Sequence, residues 1–169
     1  MINKMFFNRI FIKSIIMETI EKSVEVLNDL IEINNDRAEG FGKAAQDLDP
    51  TDMDLQGIFL NCSLESKRFA QELRDEINQL GGHADSNDTS SSGALHRAWI
   101  DIKATFTGHD RKGILAECER GEDAIKKAYR DALSTDNDLS AEVIPLLLRQ
   151  QTSIEMSHDR IKSLRDSAS

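Results

Sequence analysis

Little in this chain would break a helix or build a strand-rich sandwich. Two prolines and nine glycines are spread over 169 residues, and aromatics make up only 5%. That balance disfavours folds built from short strands and turns and favours helix. Basic residues are outnumbered 21 to 30, for a formal net charge of -9. The clustered Lys and Arg that a phosphate backbone or an anionic membrane requires are missing, so nucleic acid is excluded as the main partner. No apolar run is long enough to span a bilayer. Cys62 and Cys118 are far apart and form no disulfide or metal-knuckle pattern, which reads as two reduced core residues in a cytoplasmic protein. There is no Gly-rich phosphate loop and no Ser or Cys beside a base.

What is present is amphipathic helix. The length fits one domain with a real core. Residues 1–16 stand apart, with Lys4, Arg9 and Lys13 among Phe and Ile and no acid. They read as a loosely ordered leader, with a weak basic surface helix as the other reading; residues 17–169 form the domain. Apolar or small residues recur at three-four spacing through Ile20, Val24, Leu27, Ile31, Ala38, Phe41 and Ala45, with Asn34 at a core position. Pro50 ends this first helix. A second runs from Asp52 to Leu80 on Leu55, Ile58, Cys62, Phe69, Leu73 and Ile77, and Gly81-Gly82 stops it. A third covers Arg111 to Leu133. The fourth follows Ser134–Asp138 to about Arg165, with Pro145 predicting a kink or a late start.

The loops carry as much information. Tight turns make helices one and two, and three and four, antiparallel hairpins. Residues 81–110 join the pairs through a Ser-rich stretch and a short helical run, Leu95 to Phe106, with His96 and Trp99 expected to be structural. His83 and His109 fall in loops. Two hairpins joined by a long crossover are the connectivity of a ferritin-like bundle, not of a simple up-down bundle.

Polar residues interrupt the stripes where such bundles hold metal. Asn34 and Glu65 are equidistant from the first turn and so lie at one level. In the second hairpin Glu119 falls level with Glu155, and Glu122 lies one turn lower. Glu155 and His158 are one helical turn apart, the Glu-x-x-His spacing of carboxylate di-metal proteins. A mid-bundle cluster of carboxylates requires a compensating cation or shared protons.

The stretches LNDLIEINNDRAEGFGKAA, ERGED at Glu119–Asp123, LHRAW at Leu95–Trp99 and the closing HDRIKSLRD together resemble a bacterial family of ferritin-like four-helix proteins of unknown function (domain of unknown function 2383), from about Val24 onward. The resemblance implies an all-α ferritin-like four-helix bundle and no particular activity. Against the wider ferritin-like pattern, Asn34 replaces the first-helix Glu and Arg68 the second-helix His. Glu65, Glu119 or Glu122, Glu155 and His158 match the remaining metal ligands. Arg68 cannot bind a metal but could neutralise Glu65, Glu122 or Glu155. The leading expectation is therefore a degenerate, non-catalytic site with no cofactor in a protein that works by binding or self-association. The competing expectation is a single iron, manganese or zinc ion on Glu155, His158 and other carboxylates, serving oxidative-stress chemistry or iron handling. A homodimer is expected because such bundles pair through exposed apolar strips; the sequence singles out no strip and no other protein partner.

Overall fold

In the computed structural model, described over residues 2–84, 110–134 and 137–168 (backbone alone for 2–10), every element is helical and no strand occurs among the described residues. Helix α1 spans Ile2–Gln46, α2 Met53–Gln79, α3 Arg111–Ala132 and α4 Val143–Asp166. A single 3-10 turn, Pro50–Asp52, joins α1 to α2, started by Asp49, whose carboxylate accepts from the Thr51 N–H at 2.9 Å. Asp110 caps α3 by accepting from the Lys112 and Gly113 amides. These caps satisfy amides that have no partner within the helix. The expected crossover helix with His96 and Trp99, and His109, lie outside the described residues.

The ends of α2 and α4 follow directly from sequence. Gly81 takes φ 78°, and Gly82 N–H returns to the Ile77 carbonyl at 3.0 Å, closing α2 with a left-handed stop. A Cβ at Gly82 would stand 2.6 Å from Val24 Cγ2, so the stop also lets α1 pass close by. Helix α4 starts late, at Val143, which leaves Pro145 in its first turn, where no intrahelical N–H partner is lost.

Residues 2–16 are part of helix α1. From Phe11 to Met17 its large apolar side chains are exposed. Further along, α1 packs against both α2 and α3, so a broad surface of it is buried: Leu30, Ile33, Arg37 and Ala44 as well as Leu27, Ile31, Ala38 and Phe41.

Neighbouring helices run antiparallel: Asn34 bonds Tyr129 while Arg37 bonds Glu122, and Glu65 meets Ser153 while Glu72 meets Gln150. Arg111, at the start of α3, pairs with Asp52 and Asp54 at the start of α2. Helices α2 and α3 therefore run in the same direction, and the connection between them goes from one end of the bundle to the other. The apolar core falls into two clusters, one around Leu27, Leu73, Tyr129 and Leu147, the other around Phe41, Phe59, Leu115 and Ile161. Polar side chains fill the level between.

Candidate functional site

The centre of that level is Arg37, completely buried on α1. Its Nε and Nη2 donate to Glu122 Oε1 at 2.9 and 2.7 Å. Nη1 donates to Ser66 Oγ at 2.8 Å, to Glu65 Oε2 at 3.1 Å and to the Cys62 carbonyl at 3.4 Å. The guanidinium also lies 5.3 Å from the Phe41 ring centroid, within cation–π range. Glu65 in turn accepts from Ser153 and Ser157 on α4. One cation thus links side chains from all four helices.

Burial alone would penalise every charge here, and pairing decides the outcome. Desolvation works against the Arg37 charge, but Glu122, Cys62 and Glu65 outweigh it, so its pKa lies above the ordinary value. Desolvation raises Glu122, and Arg37 only partly opposes that. Its Oε2 has no hydrogen-bond partner among the described residues. The thiols fare likewise: burial pushes Cys62 up to about 11 and Cys118 well above its usual range, so neither is a nucleophile.

A second polar layer lies one turn away. Asn34 Nδ2 donates to Tyr129 Oη at 2.8 Å, Tyr129 Oη donates to Gln150 Oε1 at 2.8 Å, and Gln150 Nε2 donates to Glu72 at 2.8 Å. Burial raises the Tyr129 phenol, keeping it a neutral donor. This chain also crosses all four helices, with Asn34 acting as a hydrogen-bonding link.

The expected ligands separate. Glu65 and Glu122 meet at Arg37, as above. Glu155 is exposed, and Arg68, 63% exposed on its side chain, lies 3.8 Å from Glu72 and over the Phe69 ring. The neutralising role expected of Arg68 thus belongs to Arg37. The reason is helical geometry: three residues turn 300°, so if Glu65 already edges the core, Arg68 lies beyond it. The same rotation puts Glu155 outside when His158 faces α3. Glu119 lies near Arg165 and His158, not level with Glu155. The late start of α4 moves the register, because residues 133–142 are spent before the helix begins.

Glu119 and His158 meet a residue that the stripe analysis left out, Asp123. Potential ligand atoms of the three lie within 4.8 Å of one another. His158 Nε2 is 3.1 Å from Asp123, and Nδ1 is 2.9 Å from Asp159 and 3.2 Å from Lys126 Nζ. Arg165 is ion-paired with Glu119. Asp123 opens this group to solvent on the α3–α4 flank.

The family model described as a domain of unknown function (DUF2383) matches residues 22–135. The chain belongs to this family. A search of the curated proteins found no match. The DUF2383 match covers Asn34, Arg37, Glu65, Glu122 and Tyr129. It stops before α4, which supplies Gln150, Ser153, Ser157 and His158. Among the described residues no helix is long and apolar enough to cross a membrane.

Proposed function

We propose that this DUF2383 chain is a non-catalytic ferritin-like bundle of the bacterial cytoplasm, working by binding or self-association. In it Arg37 stands where ferritin-like proteins place their metals. The observation that carries this reading is the buried guanidinium between Glu122 and Glu65. It supplies fixed positive charge that the carboxylates would otherwise need from metal ions. Parallel α2 and α3, with a connection spanning the bundle, support the ferritin-like part of the reading. A di-metal centre does not fit these residues: the two central carboxylates are engaged by Arg37, and Glu155 and Arg68 face solvent. Elemental analysis of protein purified without chelator tests the proposal. The expected result is no stoichiometric metal that depends on Glu65 or Glu122; stoichiometric iron or manganese lost in Glu122→Gln would contradict it.

A second reading rests on the flank group. Glu119, Asp123 and His158 offer two carboxylates and an imidazole, a donor set suited to one zinc, iron or manganese ion. Asp159 on the other ring nitrogen would hold the imidazole in place, and Arg165 would have to leave Glu119. Titration of chelator-treated protein with zinc, followed by calorimetry, tests it: near-stoichiometric binding that is lost in His158→Ala supports the site, and equal heats for the two proteins exclude it.

A further inference from the structure

The flank group carries cations of its own. Glu119 and Asp123 are one turn apart on α3, and His158 and Arg165 are two turns apart on α4. In this antiparallel pair Glu119 lies between the levels of His158 and Arg165, so its carboxylate reaches both. Arg165 is ion-paired with Glu119 at one end of the group, and Lys126 Nζ lies 3.2 Å from His158 Nδ1 at the other.

These pairings differ from the one around Arg37. Glu119 is 8% exposed, yet Oε2, its oxygen against Arg165, has no hydrogen-bond partner among the described residues. The guanidinium supplies charge there without a hydrogen bond, while its Nε and Nη2 donate to Asp166 Oδ1 at 3.0 and 2.6 Å. A buried carboxylate oxygen that has charge beside it and no donor can be taken over by another cation.

His158 is arranged in the same way. With Lys126 donating to Nδ1, the ring proton is on Nε2 and is donated to Asp123 at 3.1 Å. A metal ion bound through Nε2 needs the other tautomer, with Nδ1–H donating to Asp159, 2.9 Å away. Lys126 then has to turn outward, which its partial exposure permits. Arg165 lies in the last turn of α4 with its side chain 30% exposed and retains Asp166 when it leaves Glu119. Arg37, completely buried and bonded on every side, has no such exit.

We infer that Arg165 and Lys126 lock the flank group, so that a divalent cation of the zinc class enters it only by displacing them. The inference rests on the second reading of the proposed function and names the regulation of that site. The lock lowers the affinity for metal by the same factor by which bound metal weakens the two internal pairings. Loading then follows the level of free metal.

Calorimetric titration of the chelator-treated full chain with zinc tests the lock. Arg165→Met and Lys126→Met are each expected to bind zinc about tenfold more tightly than wild type, within the usual range for coupling between two bound groups, with unchanged helical circular dichroism. Arg165→Lys, which keeps the charge, is expected to stay near wild type. Adding His158→Ala to Arg165→Met should abolish the binding. Equal zinc affinity in wild type, Arg165→Met and Lys126→Met overturns the lock and leaves the site standing. No zinc bound by any of the three, or tight binding that survives His158→Ala, overturns site and lock together.

Discussion

Glu122 is buried with one oxygen on Arg37 and the other without a hydrogen-bond partner among the described residues, and its ionisation is resisted in the fold. Its pKa is raised above the ordinary 4.5, burial being the largest cause. In that window the folded chain holds a proton that the unfolded chain has released. Stability from this group is therefore full below the ordinary carboxylate range and is lost as pH rises through the raised value. Asp54, Asp159 and Asp166 are lowered from 3.8 by hydrogen bonds to Arg111, His158 and Arg165. Their contribution is lost only as pH falls further, outside that window. Urea midpoints measured against pH should decline on the weakly acidic side in wild type and flatten in Glu122→Gln; identical slopes would remove Glu122 as the cause. At this scale the sequence disclosed the carboxylates but not their cation. Arg37 lies on a second three-four stripe, Leu30, Ile33, Arg37, Gly40 and Ala44, which is buried because α1 has neighbours on two sides. A single-stripe reading of a helix discards such a residue.

The helices themselves were legible. Their apolar spacing, Pro50 and Gly81-Gly82 placed α2 closely, and Pro145 marked the late start of α4. Register was less so, because it depends on how many residues a connection uses, and residues 133–142 look like a five-residue turn followed by helix. The extent of α1 was masked for a different reason: from Phe11 to Met17 its large apolar side chains are exposed, so burial periodicity does not mark the helix there. Gly82 gives a test at this scale. Its Cβ would approach Val24 Cγ2 to 2.6 Å and Ile77 Cγ2 to 3.3 Å, and Val24 is β-branched with few rotamers to retreat into. Gly82→Ala should destabilise by about 1 to 3 kcal/mol, the usual cost of overpacking, measured by thermal or urea unfolding. A variant as stable as wild type would mean that the α1–α2 approach there is loose.

Taken whole, the molecule is two apolar clusters joined through polar layers that each contact all four helices. Arg37 organises one layer, and Asn34, Tyr129 and Gln150 organise the other. A layer of this kind fixes one register, because sliding any helix by a turn strands a buried charge or donor. It also lets the bundle hold buried carboxylates on its own cation. The pairing itself contributes little net stability over apolar packing, whereas half of it is costly. The most direct measurement is therefore urea unfolding of Arg37→Met, Glu122→Leu and the double variant. Arg37→Met should lose about 3 to 5 kcal/mol, the penalty for an uncompensated buried charge, and adding Glu122→Leu should recover most of that loss. Arg37→Met as stable as wild type, or a double variant no better than Arg37→Met, would contradict a central Arg37–Glu122 pair.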